Sequence, residues 1–581
     1  MKRTHNNGEL RLSDVSKEVS LIGWVAKKRN LGNLVFIDLR DRYGYTQLVF
    51  DSSFEEITNK IKNEYVLNVK GIVVKRKDAN SNLATGEIEV NVTFVNIVNT
   101  SELTPFIIAD KTDALEDTRL KYRYLDLRRP VMQENLITRH KITKSMRNYL
   151  DNLDFIEIET PLLTKATPEG ARDYLVPSRI NAGKFYALPQ SPQLFKQLLM
   201  ISGLERYYQI ARCFRDEDLR SDRQPDFTQL DIETSFMSES EIMDLVEGLF
   251  LNILKDVKGY DLKLPLRKFT YKEVMDTYGS DKPDTRLGFE LQDVSEIFAN
   301  NNSDLLKDTA ADGTFKAIVG KGLASDLSRK DIDALTLEVK KNGGSFLTFG
   351  KVSDNTFTGA LTKLVSKEEE SELFSKLNLE ENDIVFLSAH LSWEKVCKAM
   401  GALRNELARR FVSVDKSDYD MLWVVDFPLF EYDEEKGTYT STHHPFTRPY
   451  DEDIKYLDTD PSKVRAHHYD LVMNGYELGS GSLRIYNEAM QKKVFEIIGL
   501  SDEEIENQFG FFINAFKYGT PPHGGVAFGL DRIALILTES ETIRDVIAFP
   551  KNASAVCPMS EAPSLASAKQ LKELHIKIEK E

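Results

Sequence analysis

The segment Phe214-Arg-Asp-Glu-Asp-Leu-Arg-Ser-Asp-Arg-Gln-Pro-Asp-Phe-Thr-Gln-Leu-Asp231 sets arginines, carboxylates and a phenylalanine at short spacing between two apolar runs. Guanidinium groups match phosphate oxygens with paired N–H donors, and an aromatic ring offers a face to a base. Arg215 and Glu217 sit two apart, as same-face neighbours would on a strand leaving residues 207–214, with Arg220 and Arg223 in the loop beyond. Phe227, Gln229 and Asp231 then recur at every second residue into 232–236, which predicts an antiparallel return strand with a polar face. Taken alone, the ribbon reads as a solvated charged hairpin.

A distant element changes that reading. Gly524-Gly-Val-Ala-Phe-Gly-Leu-Asp-Arg532 precedes the apolar run Ile533-Ala-Leu-Ile-Leu537. Its glycines permit close backbone approach, and Asp531-Arg532 would open a helix whose first turn faces what the glycines admit. Together the two elements resemble the second and third signature motifs of class II aminoacyl-tRNA synthetases. A predicted helix over 142–153, leading into Phe155-Ile-Glu-Ile-Glu-Thr-Pro161, stands upstream where the first motif belongs. Thr167-Pro-Glu-Gly-Ala-Arg-Asp-Tyr174, Gln190-Ser-Pro-Gln-Leu-Phe-Lys-Gln197, His443-His444-Pro445 and Glu477-Leu-Gly-Ser-Gly-Ser-Leu-Arg484 narrow the resemblance to bacterial-type aspartyl-tRNA synthetases. It spans nearly the whole chain, with one small departure at Ser480, where that family usually has glycine.

The resemblance implies a ligase that joins aspartate to ATP as aspartyl-adenylate, releases pyrophosphate, and moves the aspartyl group to the terminal adenosine of tRNA(Asp). Two anions meet in the first step, so cations are the main requirement. The catalytic candidates are Arg215, bridging the attacking carboxylate and the α-phosphate, and Arg532, holding the γ-phosphate. Asp216, Glu217, Gln224, Phe227, Glu477, Gly529, Leu530 and Asp531 complete the implied ATP site, with Phe227 stacked on adenine and Glu217 accepting from its amino group. Asp470 and Glu477 are implied to hold Mg2+, a cation that takes hard oxygen ligands beside phosphates. Asn474-Gly475 between them suits a tight turn joining opposed strands. No triad nucleophile is implied, because the adenylate phosphate can accept the proton in the second step.

For the amino acid, the resemblance puts Arg484 on the side-chain carboxylate, with Lys196 and His443 adding positive field. Glu169, Gln193 and Asp231 receive the ammonium group. Asparagine differs from aspartate mainly in charge, and sites built on such polar pairing discriminate by roughly 10⁴-fold or more, so no editing domain is required. His443-His444 has no third His or Cys at zinc spacing, and His467-His468 receives no role.

A chain of 581 residues implies about three or four domains. No apolar stretch approaches membrane-spanning length, and Met1-Lys-Arg-Thr-His-Asn lacks the core of a signal peptide, so a cytoplasmic location is expected and no membrane partner. Cys213, Cys397 and Cys557 are too scattered for a disulfide framework or a zinc site. The net charge of −16 does not exclude RNA, because binding depends on local patches such as Lys27-Lys28-Arg29 and Lys75-Arg76-Lys77.

The expected architecture is multidomain α+β. Short alternating runs at 19–25, 34–39, 46–50, 65–74 and 88–98 predict a five-stranded OB-type β-barrel over 1–105. Its implied role is anticodon binding through Arg29, Phe36 and Gln47, although Phe36 in an apolar alternation also reads as core. A hinge over 106–130 leads to a catalytic domain on an antiparallel sheet, in two parts at 131–286 and 413–560. An inserted α+β domain at 287–412 separates them, and 561–581 forms a C-terminal extension. The first motif implies a homodimer interface.

Three rivals remain open from the sequence. A non-discriminating enzyme would also charge tRNA(Asn), the difference lying around 29–32 and 80–86, where Leu31 favours the strict form. A catalytically silent RNA-binding paralogue would lose Arg215, Arg484 or Arg532, all of which are present. An amide-forming ligase acting on free aspartate would lack the barrel.

Overall fold

The computed structural model describes residues 2–167 and 171–579. By contact density these fall into two compact units. One holds the residues up to Ile137 together with Arg544–Leu565, and the other holds Thr138–Ile543 with the residues from Ala566 onward.

The first unit contains a closed barrel of β1 (Glu18–Leu31), β2 (Leu34–Asp41), β3 (Gly44–Phe50), β4 (Val66–Lys75) and β5 (Ile88–Asn99), in the order β1-β2-β3-β5-β4. Period-two alternation turns Ile37, Leu39, Leu48, Phe50, Val69 and Val90 inward, all of them fully buried. Closure removes the exposed edges that a small sheet would otherwise present. Arg544–Leu565, expected from sequence to continue the catalytic part or its tail, belongs here by contact. Arg123 is the reason, because its buried guanidinium donates to the carbonyls of Ala548 (2.9 Å) and Ile547 (2.8 Å).

The second unit is organised by an eight-stranded sheet in the order Arg267–Thr270, Met421–Val425, His468–Met473, Tyr476–Leu483, His523–Gly529, Asp226–Ser235, Arg206–Phe214, Ile156–Glu157. All pairings are antiparallel except the two at the edges. The predicted first-motif helix is longer than its expected span, Pro130–Asp151. Helix Glu239–Lys258 is started by a Ser238/Glu241 capping box and ended by left-handed Gly259, and its Phe250 packs edge-on against Phe528 of the sheet at 5.2 Å.

Between Arg267–Thr270 and Met421–Val425 the chain forms a separate five-stranded sheet in the order Gln292–Asp293, Thr314–Gly320, Ile384–His390, Thr348–Ser353, Thr356–Thr358. One face buries Ile318 and Phe386 against helices Arg329–Lys341 and Trp393–Phe411. The other buries Phe315, Val385 and Leu387 with Leu361 and Leu373.

Candidate active site

The central strands open onto a cavity of about 1610 Å³. Arg206–Phe214 and Asp226–Ser235 form the predicted hairpin, with Cys213 opposite Phe227. Arg215 and Glu217 lie just past the strand end rather than on it, so loop geometry and not strand alternation positions them. The Arg215 guanidinium stacks 5.1 Å from the Phe227 ring centroid, and its Nε is buried with no hydrogen-bond partner. Glu217 accepts from Arg223 Nη1 at 2.8 Å, and Gln224 is buried beside it.

His523–Gly529 runs beside the return strand, and Gly529 caps helix Leu530–Leu537. Asp531, in the first turn, accepts from the Thr228 amide at 2.9 Å and from Arg139, which ties the helix start to the hairpin. Arg532 donates to the Glu477 carbonyl and to Asp222 (3.3 Å), while its Nε is buried without a partner. Two arginines thus line one cavity, each with a buried Nε that has no hydrogen-bond partner.

Asp470 and Glu477 line the same space, on strands joined by the Asn474-Gly475 turn, whose φ values are both positive. Burial, and after it the charge of Asp470, raises the Glu477 carboxyl above its ordinary range, while Arg532 opposes the shift. His468 Nε2 lies 2.8 Å from Asp470 Oδ1 and 2.9 Å from Ser480 Oγ. The serine that departs from the family's usual glycine therefore makes a polar contact in the cavity wall. Among the described residues, no group of three or more His, Cys, Asp or Glu is placed to hold a metal.

At the floor lies a buried cluster of four charges. Lys196, on helix Gln193–Ile201, donates to Asp231 at 2.9 Å and sits 3.5 Å from Glu233. Arg484 makes a two-pronged contact with Glu233, Nε to Oε1 at 2.9 Å and Nη2 to Oε2 at 3.0 Å. Its Nη1 meets His444 Nε2 at 2.7 Å and also donates to Ser482 Oγ. Burial raises the Asp231 carboxyl. At Glu233 burial acts the same way but is outweighed by Arg484 and Lys196, so that carboxyl is lowered and stays ionised. Gly525 makes room for it, because a Cβ there would lie 2.2 Å from Glu233 Oε2.

His443 requires a correction. It lines the cavity, but it does not supply the expected positive field. Burial, with His444, His468 and Arg484 close by, holds its pKa well below the ordinary histidine value, and its ring stacks 4.5 Å from that of His468. It is a neutral imidazole. Gln193 reaches the cavity with its Nε2 buried and unpaired. Asp216 and Leu530, both expected at the ATP, do not line it: Asp216 faces Arg172 at 3.7 Å, and Leu530 is buried. Glu169 lies outside the described residues. Sequence reasoning missed Glu233 and His444. The period-two series 227, 229, 231 continues to Glu233, and His444 adjoins a histidine already chosen.

On the barrel, Arg29, Phe36 and Gln47 share one face. Phe36 pairs with Arg29 across the β1–β2 ladder and is not in the barrel core, which takes Ile37 instead. Arg29 Nη2 bonds Asp38 (2.9 Å) and Gln47 (3.1 Å), and Gln47 donates to Glu89 at 2.8 Å.

An antiparallel sheet that carries a motif hairpin, a glycine-rich strand and an arginine-bearing helix around one cavity defines a class II aminoacyl-tRNA synthetase catalytic domain. The family model "tRNA synthetases class II (D, K and N)" matches residues 115–553, and the model "OB-fold nucleic acid binding domain" matches 19–98. The chain belongs to the class II D, K and N tRNA synthetases. Relatives named aspartate--tRNA(Asp/Asn) ligase include one from Geobacillus sp., 51% identical over 100% of this chain and 98% of its own length. Another, from Bacillus cereus, is 52% identical over 99% of both chains. Among solved structures, an asparaginyl-tRNA synthetase from Pyrococcus horikoshii matches with TM-score 0.58 and 18% identity over 93% of this chain and 96% of that one. An aspartyl-tRNA synthetase from Entamoeba histolytica matches with TM-score 0.58 and 19% identity over 95% and 92%. At such identities these structures speak for the fold alone.

Proposed function

We propose that this chain is an aspartate–tRNA ligase that activates L-aspartate with ATP and transfers it to both tRNA(Asp) and tRNA(Asn). The observation that carries the reading is the buried Lys196–Asp231–Glu233–Arg484 cluster at the floor of a cavity whose other end holds Arg215 and Arg532. Arg484 Nη1 rests on two neutral acceptors, which an incoming carboxylate displaces because a charge-assisted hydrogen bond is roughly twice as strong. An amide does not compete in that way. Asp231 and Gln193 face the substrate ammonium. Arg215 bridges the attacking carboxylate and the α-phosphate, Phe227 carries adenine, and Arg532 takes the γ-phosphate.

Asp470 and Glu477 fit Mg2+. They are hard oxygen donors, the like charge of Asp470 already disfavours the ionised form of Glu477, and a two-carboxylate set suits an ion completed by substrate phosphates and water. Bound there, the ion offsets charge on the phosphates. We also assign the chain to the cytoplasm and to a homodimer. No helix among the described residues is long and apolar enough to cross a membrane. Ile156 on the short edge strand Ile156–Glu157, and Leu162, Leu163, Leu175, Ile180 and Phe185 in the chain that follows it, are exposed apolar side chains of the kind a second copy would cover.

The double tRNA specificity is supported by the names of the relatives. Leu31, 64% exposed at the end of β1, lies in the 29–32 segment where the two specificities are expected to differ. Aspartate-dependent ATP–pyrophosphate exchange, followed by charging of each purified tRNA, tests both. Exchange with charging of tRNA(Asp) alone leaves the strict form. No exchange with any amino acid leaves the silent paralogue.

A further inference from the structure

His468 and Ser480 both line the cavity, yet the proposed reaction uses neither, and Ser480 stands where the family usually has glycine. Asp470 faces Ser480 in the ladder between His468–Met473 and Tyr476–Leu483. The two-residue period of a strand puts His468 on the same face as Asp470. The three side chains therefore converge. His468 Nε2 lies 2.8 Å from Asp470 Oδ1 and 2.9 Å from Ser480 Oγ.

A carboxylate that binds a cation only accepts hydrogen bonds, so the proton between the two groups sits on Nε2. That leaves Nδ1 as the bare nitrogen, and it is buried with no hydrogen-bond partner. The ring is clamped between Phe427 and His443, with centroids 4.1 Å and 4.5 Å away and planes 27° and 13° from parallel. His468 is 4% exposed and Asp470 6%, and in such a buried place a hydrogen bond is stronger than in water. Holding Oδ1 fixes the direction in which the carboxylate points, and among the described residues no side chain donates to Oδ2. Filling the space between Phe427 and His443 would need a ring but no donor.

We propose that His468, itself held by Ser480, is a positioning residue that orients the Asp470 carboxylate for the Mg2+ assigned to Asp470 and Glu477. The inference rests on that cation site and on the ligase reading. Partners that hydrogen-bond a metal-ligating group fix its orientation, and their loss weakens metal binding by about 10- to 100-fold. Ser480 gives Nε2 a second contact from the neighbouring strand, which a glycine could not supply. The departure from glycine and the histidine without a role are thus two parts of one device.

Two substitutions in the full-length protein separate the donor from the ring. His468→Phe keeps an aromatic ring in the stack and removes the donor, whereas His468→Gln removes the ring and keeps an N–H at the position of Nε2. Thermal melts of nucleotide-free protein against Mg2+ concentration read the site directly, because weaker binding demands more Mg2+ for the same stabilisation. The Mg2+ needed for a given rise in Tm is expected to increase about tenfold in His468→Phe and to stay within about threefold in His468→Gln. Ser480→Ala is expected to act in the same direction but less, and to add nothing on top of His468→Phe, because its hydroxyl acts through the imidazole. The Mg2+ requirement of ATP–pyrophosphate exchange should follow the same order, with the aspartate KM of His468→Phe within about twofold of the unaltered protein. An unchanged Mg2+ requirement in His468→Phe overturns the inference. So does a greater loss in His468→Gln than in His468→Phe, which would assign the effect to packing of the ring, or an aspartate KM that rises in step with the Mg2+ requirement. Mg2+ stabilisation that survives Glu477→Gln with His468 intact removes the cation site itself and the inference with it. Absence of exchange in the unaltered protein removes the ligase reading, a result distinct from normal exchange with an unchanged Mg2+ requirement in His468→Phe.

Discussion

At the floor of the cavity, two cations and two carboxylates are already matched: Lys196 with Asp231, and Arg484 with Glu233. At the end proposed for the nucleotide, Arg215 and Arg532 each bury an Nε without a partner, and burial, with the charge of Asp470 after it, raises the Glu477 carboxyl. The floor is therefore set before substrate arrives, as recognition of one carboxylate against its amide requires, because fixed groups lose little on binding. The nucleotide end is left incomplete, with donors and like charges that triphosphate and a cation would satisfy. On the proposed reading, selectivity and chemistry are kept apart by how much of the charge is neutralised within the protein itself.

Arg484→Leu gives the largest break in that comparison. From sequence alone, the substitution is expected to abolish aspartate activation and leave the fold intact. The structure changes the second half, because it would strand Glu233 in a fully buried site. Breaking one partner of such a pair costs about 3–5 kcal/mol. Aspartate activation is expected to fall by roughly 10⁴-fold, with stability, read by chemical denaturation, down by that amount. Adding Glu233→Gln should restore much of the stability and none of the activity. A single variant with normal aspartate affinity would falsify the assignment.

Gly525→Ala asks whether the floor depends on Glu233 itself. The new Cβ would lie 2.1 Å from the Ile232 carbonyl oxygen and 2.2 Å from Glu233 Oε2, so the adjoining strand as well as the carboxylate must shift, a misfit of about 1–3 kcal/mol or more. The aspartate KM should rise while the ATP KM holds, because the phosphate cations are not touched. Equal rises in both would mean that the two ends are not separable.

Phe36→Ala extends the contrast to the barrel, which belongs to the other compact unit. Loss of a stacking ring should weaken tRNA binding by about 1–3 kcal/mol, with exchange unaffected. The ring lies outside the barrel core, so a large loss of thermal stability is not expected. Global destabilisation without a tRNA-specific defect would return Phe36 to the core reading.

Much of this was legible in the chain. The barrel's five strands follow from period-two alternation, and the hairpin and glycine-rich strand follow from spacing. What remained hidden depends on long-range packing. The neutrality of His443 comes from burial among other imidazoles and cations, which no local pattern encodes. Asp216 follows Arg215 in sequence but turns to Arg172, because the strand ends at Phe214 and alternation no longer governs side-chain direction. The inserted segment carried no motif at all, yet helix Trp393–Phe411 reaches the cavity through two touching glycines more than 120 positions apart, Gly279 and Gly401. Such a contact is invisible to any window of sequence.

The smallest effect tests the nucleotide end through protons. Burial and Asp470 raise the Glu477 carboxyl in the folded chain above its unfolded value. A carboxyl raised on folding contributes stability below its unfolded pKa, and that contribution is lost as pH rises through the folded one. Mg2+ between the two carboxylates would relieve the repulsion that appears as Glu477 ionises, so its stabilising effect should grow as pH rises from the ordinary carboxylate range toward neutrality. Thermal melts with and without Mg2+ at pH 5 and pH 8 would read it, and Glu477→Gln should flatten the difference. If Mg2+ stabilised the protein equally at both pH values, or if the slope survived in Glu477→Gln, the like-charge strain would lie elsewhere, and the contrast with the matched floor would rest on Arg215 and Arg532 alone.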